Sequence, residues 1–294
     1  MKVAIHGQFY KESTQPYLEK LLRILNKNKD EIFFEEEFYD LLKFNIKTLK
    51  EYNTFSSYED LDAGFDLFIT LGGDGTILRA ITFIRDLPIP VLGINVGRLG
   101  FLATIQKHEI KIALNHIRKK EFTLSERSLV QVSTAPDIEG LTALNFALNE
   151  ITVGRKNTTA MLAIVTYLDG EKLTSYFADG LIIATPTGST GYSMSCGGPV
   201  ITPGTKSLVL TPIAPHNLTA RPLLIPDETV IKLQVNSREK EALLSLDSRV
   251  FTITNDTKIT VKRANFTIKL IELPNQSFIK TIRKKLLWGV DRRS

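Results

Sequence analysis

Apolar residues in the first part of the chain alternate between short continuous runs and helical spacings. Residues 1–7 form an apolar run that ends in glycine, which is typical of a buried strand. The next segment, 17–28, has leucines at the spacing of one helix face: Leu18, Leu21, Leu22 and Leu25. The chain therefore opens with a predicted strand followed by a predicted helix.

The same alternation continues as far as about residue 120. Residues 65–71 form a second apolar run, glycines follow it, and 76–85 has a helical pattern before Pro88 and Pro90. A third apolar run covers 89–94. Strands that alternate with helices pair in parallel, so we predict an α/β domain here.

The pattern changes after Arg127, where short alternating segments follow one another without convincing helices between most of them. This half is predicted to be all-β. Asp169-Gly170 between two such segments favours a tight hairpin. The amphipathic, basic stretch 277–287 is predicted to be a C-terminal helix that packs back on the body. The predicted strands are 129–133, 150–153, 163–167, 172–177, 181–184, 229–235, 250–253, 258–261 and 266–271.

Composition removes several classes of protein. The 294 residues are 43% hydrophobic and 23% charged, which is ordinary for one large or two medium globular domains. No apolar run reaches the length of a membrane span, the first residues lack the layout of a signal peptide, and we expect a cytoplasmic protein without a membrane partner. Cys196 is the single cysteine and the four histidines are scattered, so we expect neither a disulfide nor a structural metal.

The net charge of +5 comes from the C-terminal end. Six of the 37 basic residues but only one of the 32 acidic residues lie at 280–294, which leaves 31 of each sign in residues 1–279. Proteins that bind nucleic acid usually spread basic residues over a face of the folded domain. We therefore expect no nucleic-acid partner.

Glycines point to the chemistry. Twelve of the 18 lie in two windows, 72–100 and 180–204, and both windows follow predicted strands. Glycine allows close approach to the backbone, and glycine-rich loops after strands hold phosphates and sugars through main-chain N–H groups.

Residues 72–76, at the start of the first window, contain one carboxylate, Asp74, among three glycines. A carboxylate beside phosphates either binds a divalent cation or takes a proton from the hydroxyl that attacks phosphorus. The simpler alternative is a tight turn with a capping aspartate, which three glycines make less favourable. The chain contains neither GxxxxGK[ST] nor GxGxxG.

The segment 179–199, which covers most of the second window, combines small hydroxyls, glycines and the aromatic Tyr192. Such a loop suits hydrogen bonding to sugar and phosphate oxygens while a ring packs against a base or ribose. The alternative is a surface loop rich in serine and glycine, although polar loops of this length in compact domains are more often functional.

Four segments together resemble the NAD kinase family in their order and spacing. They are GGDGT at 72–76, INVGRLGFL at 94–102, Asn149-Glu150, and TPTGSTGY at 185–192 followed by Gly-Gly-Pro at 197–199. GGDG alone also occurs in lipid kinases and, in related form, in phosphofructokinases, whereas the four segments together are highly specific. Gly191 stands where many members have alanine.

The resemblance implies a fold and a reaction. The fold is α/β plus all-β: a Rossmann-like parallel-sheet domain at 1–125 with 275–294, and a β-sandwich-like domain at 126–274. NAD kinases transfer the terminal phosphate of ATP to the 2′-hydroxyl of the adenosine ribose of NAD, giving NADP and ADP. Asp74 would accept the proton of that hydroxyl, which agrees with the argument from its loop.

The resemblance also implies the binding residues. Asn149 and Glu150 would read the adenosine of NAD, because an amide beside a carboxylate can bind an adenine edge and a ribose diol. The phosphate loop for ATP would be Gly72, Gly73, Gly75 and Thr76. Further NAD contacts would be Asp74, Gly75, Arg79, Phe101, Asp179, Thr190, Gly191, Tyr192, Ser193, Met194, Ser195, Ala214 and Arg249. Arg79 also fits a solvated helix charge, Phe101 a core position, and Asp179 a turn-stabilising residue or a contact with a neighbouring subunit.

The same resemblance implies a divalent cation, Mg²⁺ or Mn²⁺, whose ligands the sequence leaves unknown. The partners would be NAD and ATP, with other nucleoside triphosphates or polyphosphate as further donors, in a homodimer or homotetramer. Two other functions remain open at this stage. A lipid or sugar kinase would turn over other acceptors but not NAD, and a silent NAD(H)- or NADP-sensing module could dispense with Asp74.

Overall fold

The computed structural model describes residues 1–97, 99–157, 161–217, 219–274 and 276–287. Its contacts separate two compact units. Unit 1 comprises Met1–Glu126 and the C-terminal residues from Ile268 on, and unit 2 comprises Arg127–Thr267. Within the described ranges we find no helix with the length and apolar character of a membrane span.

Unit 1 contains parallel strands that alternate with helices. Its strands are β1 (Lys2–Gly7), β2 (Glu31–Glu35), β3 (Asn53–Phe55), β4 (Leu67–Gly72), β5 (Val91–Asn95) and β6 (Ile105–Gln106). Its helices are α1 (Gln15–Lys27), α2 (Glu36–Asn45), α3 (Asp74–Ile84), α4 (Ile110–Arg118) and, at the C-terminal end, α6 (Phe278–Leu286).

The sheet of unit 1 has the order β5-β4-β1-β2-β3, and all these neighbours pair in parallel. Strands β1, β4 and β5 are almost wholly buried, as expected for parallel strands covered on both faces. The leucines of α1 that the sequence placed on one face are buried against this sheet. Burying each such side chain contributes about 1.5–3 kcal/mol. The parallel α/β prediction is confirmed.

Helix α6 begins after Ser277, whose hydroxyl accepts a hydrogen bond from the amide of Lys280 at 3.2 Å. The ring of Phe278 lies 6.4 Å from that of Phe101, and the ammonium group of Lys285 lies 4.7 Å from the centre of the Phe101 ring. The predicted return of the C-terminal helix to the α/β domain is therefore confirmed.

Unit 2 is built from antiparallel strands and one short helix, α5 (Tyr192–Ser195). Strand β7 enters this unit from unit 1, and the last strand leaves it toward unit 1. The strands are β7 (Thr123–Ala135), β8 (Phe146–Ala147), β9 (Glu150–Arg155), β10 (Leu162–Leu168), β11 (Glu171–Ala178), β12 (Gly180–Ala184), β13 (Ser207–Ile213), β14 (Leu223–Pro226), β15 (Ile231–Ser237), β16 (Glu241–Leu246), β17 (Arg249–Thr254) and β18 (Lys258–Glu272).

Two layers of strands enclose the core of unit 2. One sheet has the order β14-β13-β12-β9-β16-β17; the other has β11-β10-β15-β18, with β7 beside β18 and β8 beside β7. Alternating residues of both layers form one apolar cluster, which confirms the predicted sandwich. The opposite face of β12 and β13 is also buried, against Ile201.

The hairpin prediction at Asp169-Gly170 is confirmed, since both residues have positive φ (48° and 89°) between the antiparallel strands β10 and β11. The prediction of separate strands at 258–261 and 266–271 is wrong. The polar residues between them belong to the single strand β18, in which Ala264 keeps an inward position.

Candidate active site

The segment 72–76 follows β4 at the point where the order of the parallel sheet reverses. Strands β1 and β4 are neighbours, and the chain continues from them toward opposite sides of the sheet. Open α/β sheets bind ligands at such a reversal. A cavity of about 330 Å³ lies here, inside unit 1. It is lined by Gln8, Phe9, Lys11, Thr14, Leu71, Gly72, Gly73, Gly75, Thr76, Asn95, Val96 and Gly97.

The glycines of this loop serve two purposes. A Cβ on Gly72 would lie 1.9 Å from the hydroxyl of the buried Thr76, so the absence of a side chain at Gly72 lets the loop pack on the first turn of α3. A Cβ on Gly73 or Gly75 would meet no atom within 4 Å. Their main chain is therefore open to close approach by a ligand in the cavity.

Asp74 is the first residue of α3, and its carboxylate turns to the segment after β5. The carboxylate accepts three hydrogen bonds from successive amides: Phe101 N to Oδ2 at 2.8 Å, and Leu102 N and Ala103 N to Oδ1 at 3.0 Å each. A carboxylate has about four acceptor positions. The described residues use three of them, which leaves Oδ2 one lone pair with which it can accept a proton or a hydrogen bond from a hydroxyl group.

Gly100 makes room for this carboxylate. A Cβ on Gly100 would lie 1.8 Å from Oδ1 of Asp74, which is far inside any allowed contact. The predicted third motif, 94–102, therefore supplies both the amides that hold Asp74 and the space that it occupies. Arg98 of this motif lies outside the described residues.

The other predicted residues of unit 1 have partners of their own. The ring of Phe101 is buried beside α6. The guanidinium group of Arg79 lies 3.2 Å from the carboxylate of Glu37 on the exposed side of α3. The NAD contacts of Phe101 and Arg79 stay predictions.

In unit 2, the Asn149-Glu150 pair lies where the chain enters β9, and Asp247 holds its backbone. The carboxylate of Asp247 accepts from Leu148 N at 2.9 Å, from Asn149 N at 2.8 Å and from Glu150 N at 3.2 Å. The amide of Asp247 donates in turn to the carbonyl of Glu150 at 3.0 Å. These bonds fix the direction in which both side chains leave the main chain.

The carboxyl group of Glu150 is electrostatically unusual. Burial, then the nearby charge of Asp247, raise the pKa of Glu150 to about 8, against a smaller opposing effect of the Tyr192 amide. Its Oε2 atom is buried and has no hydrogen-bond partner among the described residues. A buried acceptor without a partner is costly, so this oxygen is suited to a ligand that supplies a hydroxyl.

The glycine-rich turn of unit 2 packs on this pair. The amide of Thr185 donates to the carbonyl of Asn149 at 2.9 Å, and its hydroxyl donates to the carbonyl of Leu148 at 2.6 Å. A Cβ on Gly188 would lie 2.0 Å from the Asn149 carbonyl oxygen, and one on Gly191 would lie 3.0 Å from Oε2 of Glu150. The two motifs that the sequence singled out in the β half therefore meet.

Within the turn, the hydroxyls serve different ends. Thr190 donates to the carbonyl of Thr187 at 3.1 Å, and the buried Ser193 shares a hydrogen bond with Thr211 at 2.8 Å. Tyr192 is 47% exposed, and Ser195 is exposed beside the partly buried Met194. Tyr192 and Ser195 are accessible to a ligand, whereas Ser193 stabilises the turn.

Of three further predicted residues in unit 2, two have partners in the protein and the third, Ala214, is exposed. Asp179 forms an ion pair with Arg155 at 2.9 Å. Ala214 is exposed with φ 42°, and the guanidinium group of Arg249 donates to the carbonyls of Leu144 and Phe146. Their contacts with NAD stay predictions.

Comparison with known proteins shows which family the chain belongs to. The model of the ATP-NAD kinase N-terminal domain matches residues 3–122, and that of the C-terminal domain matches 148–273. The chain belongs to the NAD kinase family. It is 55% identical to the NAD kinase of Christiangramia forsetii and 39% identical to that of Bacteroides fragilis strain ATCC 25285, with both chains covered over their full length in each case.

Two solved structures, of an NADH kinase and an NAD kinase, have folds similar to that of this chain. Yeast NADH kinase complexed with NADH has a TM-score of 0.87 at 25% identity, covering 99% of this chain and 89% of its own. An NAD kinase from Archaeoglobus fulgidus in complex with ATP has a TM-score of 0.73 at 25% identity, covering 98% and 99%. The predicted NAD kinase enzyme, a phosphotransferase that uses ATP, is confirmed, and the lipid-kinase, sugar-kinase and silent-sensor alternatives fall away.

Sequence reasoning missed Asp247, Gly100 as a spacer, and the amides of 101–103. Asp247 lies two residues before Arg249, which the family resemblance had marked as an NAD contact. The amides of 101–103 carry no signal in residue type, because any residue except proline supplies the same donor. A glycine after a buried strand was the available signal for the spacer role of Gly100.

Proposed function

We propose that this NAD kinase transfers the terminal phosphoryl group of ATP to the 2′-hydroxyl of the adenosine ribose of NAD, with Asp74 as proton acceptor. The oxygen–phosphorus bond to the ribose forms, the bond between the β and γ phosphates breaks, ADP leaves and the hydroxyl proton goes to Asp74. The observation that supports this most is the carboxylate of Asp74, which three amides hold in one orientation with a single amide on Oδ2 among the described residues.

The cavity of unit 1 would bind the triphosphate. Main-chain N–H groups of residues 73–75, at the N-terminal end of α3, supply donors and a favourable dipole for phosphate oxygens. Gly72, Gly73, Gly75 and Thr76 are the phosphate loop of this proposal. The ATP complex of the Archaeoglobus fulgidus relative supports ATP as donor. Other nucleoside triphosphates and polyphosphate are further donors to test.

A magnesium or manganese ion bound with ATP would neutralise charge on the triphosphate. We find no group of three His, Cys, Asp or Glu side chains that could hold a metal within the described ranges. This fits Mg²⁺, which is usually held by substrate phosphates, water and one or two carboxylates. Asp74 is the acidic side chain that the loop 72–76 offers.

The cluster of unit 2 would bind NAD. Asn149 would read the adenine edge, and Glu150 would accept from the ribose diol with its unpartnered oxygen. Tyr192 and Ser195 are exposed beside them, and Thr190, Gly191, Ser193 and Met194 shape the turn. Gly75, Arg79, Phe101, Asp179, Ala214 and Arg249 are further proposed contacts with weaker support. The NADH complex of the yeast relative supports a nicotinamide dinucleotide as ligand.

We propose a homodimer or homotetramer as the working assembly. Strand β11 is an edge strand of unit 2, and Leu173 and Phe177 on it are 38% and 47% exposed. Leu224 on the edge strand β14 is 52% exposed. Exposed apolar edge strands are typical of surfaces that pair with another chain. Light scattering on the eluted protein measures the assembly. The cytoplasmic location stays a prediction.

The function is tested by incubating the protein with NAD, ATP and Mg²⁺ and measuring NADP with an NADP-specific dehydrogenase. We expect Asp74→Asn to lower kcat by about a hundredfold to ten-thousandfold, the usual contribution of a proton acceptor. Asp62→Asn is the matched control, because that exposed carboxylate of unit 1 also accepts a backbone amide, from Gly64 at 2.7 Å. Undiminished turnover by Asp74→Asn would exclude the proposed role.

A further inference from the structure

A two-residue turn in unit 2 controls the backbone of the Asn149-Glu150 pair. Asp247 and Ser248 connect β16 to β17, and Asp247 has φ 52°, a left-handed conformation that aspartate tolerates better than most residues. Strand β16 pairs with β9, with Leu246 opposite Ile151. The turn therefore lies beside the residues that precede β9, where the ladder of the sheet has ended.

The amides of Leu148, Asn149 and Glu150 find their acceptor in this turn. Leu148 is fully buried, so an amide there without a partner would destabilise the fold. All three amides donate to the one carboxylate of Asp247, at 2.8–3.2 Å. Several amides that donate to one carboxyl group fix both the direction and the distance of the segment relative to the turn.

Arg249, two residues after Asp247, also binds the backbone of this segment. Its guanidinium group donates to the carbonyls of Leu144 and Phe146 and lies 5.4 Å from the centre of the Phe146 ring. One hairpin end thus provides an acceptor for three amides and donors for two carbonyls of the segment 144–150.

The segment has little freedom to move. Two glycines pack closely against it. A Cβ on Gly188 would lie 2.0 Å from the Asn149 carbonyl oxygen, and one on Gly191 would lie 3.0 Å from the Glu150 carboxyl group. A displacement of the 148–150 backbone by a few tenths of an ångström would therefore change how Asn149 and Glu150 meet a bound nucleotide.

We propose that Asp247 is a positioning residue for NAD: it does not contact the nucleotide but holds Asn149 and Glu150 in the orientation that binds it. The proposal rests on the assignment of Asn149-Glu150 to the adenosine of NAD. Asp247 would raise the affinity for NAD by preorganisation, since a site that is already ordered loses less entropy when the ligand binds.

Asp247→Asn tests the proposal, because asparagine has the same shape and accepts the left-handed conformation. Its amide group, however, offers one acceptor oxygen and turns an NH₂ toward the donors of 148–150. We expect the KM for NAD to rise at least about tenfold while the KM for ATP changes less than about twofold. A factor of ten corresponds to about 1.4 kcal/mol. Equal changes in both KM values would overturn the proposal.

Asp169→Asn is the matched control. Asp169 also lies in a tight turn of unit 2 with positive φ, 48°, and its carboxylate accepts one amide, from Val230 at 2.9 Å. It takes no part in the proposed site. We expect both KM values of this variant to stay within about twofold of the wild type, so a general loss of an aspartate turn does not mimic the effect.

A double-mutant cycle with Glu150→Gln separates positioning from general destabilisation. If Asp247 acts through Glu150, Asp247→Asn raises the KM for NAD by a smaller factor in the Glu150→Gln background than in the wild type. The same factor in both backgrounds contradicts action through Glu150. An unchanged KM for NAD in Glu150→Gln alone would show that the site assignment itself is wrong.

Hydrogen exchange of the wild-type enzyme needs no variant to fold. Positioning requires the amides of 148–150 to be protected already in the ligand-free enzyme, with less than about twofold further slowing on addition of NAD. Fast exchange in the free enzyme that becomes slow only with NAD would mean that the ligand orders this segment, and would overturn the proposal.

Discussion

Two aspartates, one in each unit, bind backbone amides in the same way. Asp74 accepts from residues 101, 102 and 103, and Asp247 accepts from 148, 149 and 150. In each case one oxygen takes two amides and the other takes one. The surroundings differ: Asp74 begins an eleven-residue helix beside an open glycine loop, whereas Asp247 lies in a left-handed turn between Glu150 and Arg249.

The comparison shows that a hydrogen-bond pattern does not define a role. In unit 1 the three amides orient a carboxylate whose remaining lone pair does the proposed chemistry. In unit 2 the carboxylate orients the three amides, and the oxygen left for a ligand belongs to the neighbouring Glu150. Whether the amides orient the carboxylate or the carboxylate orients the amides depends on which of them lies next to the ligand.

In unit 1, Gly100→Ala would separate the Asp74 carboxylate from its three amides. It has the largest expected effect of three further substitutions. Its Cβ would occupy the position of Asp74 Oδ1, so the carboxylate must rotate away from the amides of 101–103. Misplacement of a catalytic group by about 1 Å can cost about a hundredfold in rate, and we expect a loss of that size in kcat.

The control for this change is Gly204→Ala, since a Cβ there meets no atom within 4 Å and the residue lies outside both clusters. Steady-state NADP formation measures both variants. Wild-type kcat in Gly100→Ala would mean that the orientation of Asp74 seen here is not needed for turnover.

In unit 2, Glu150→Gln tests whether the Glu150 carboxyl group stays protonated in the folded protein, through the pH dependence of stability. The pKa of Glu150 rises from 4.5 to about 8 because of burial and the charge of Asp247, so between these values the folded protein keeps a proton that the unfolded chain has released. The stabilising contribution of the protonated group is complete below about pH 4.5 and is lost as the pH rises through about 8.

We therefore expect the free energy of unfolding of the wild type, relative to Glu150→Gln, to fall by at most about 1.4 kcal/mol for each pH unit across this range. Urea unfolding at pH 5, 6, 7, 8 and 9 measures the difference. A constant difference between the two proteins would show that Glu150 titrates as an ordinary carboxyl.

Gly191→Ala has the smallest expected effect. Its Cβ would lie 3.0 Å from Oε2 of Glu150 and 3.1 Å from the Gly188 carbonyl oxygen, contacts that a small shift of the Glu150 side chain relieves. We expect the KM for NAD to change less than about threefold, in either direction. A much larger rise would show that the position of Oε2 is fixed more tightly than the surrounding contacts indicate.

The sequence sufficed for features that depend on local pattern. Periodicity located α1 and β4, the Asp-Gly pair located the β10–β11 hairpin, and glycine clustering together with one acid located Asp74. It was insufficient for features that depend on the backbone of distant residues. Amides have no sequence signature, so neither the donors of 101–103 nor the partnership of Asp247 with 148–150 was visible.

Strand β18 is a second feature that the local sequence pattern did not predict in full. Residues 262–265 are mostly polar, and the alternation that defines a strand was lost there. The structure continues the strand, since pairing with β15 at 258–261 and with β5 at Leu270 holds both ends of β18 in the sheet. Tertiary pairing overrides local pattern at such positions.

The spacing of each carboxylate from its amides along the chain has a consequence for conformational entropy. Asp74 meets amides 27–29 residues away, whereas Asp247 meets amides 97–99 residues away. Closing the longer loop costs the unfolded chain about 1 kcal/mol more, since the cost grows with the logarithm of loop length. The anchor of Asn149-Glu150 thus closes the longer loop, from the start of β9 to the end of β16, while Asp74 is anchored within consecutive elements of one parallel sheet.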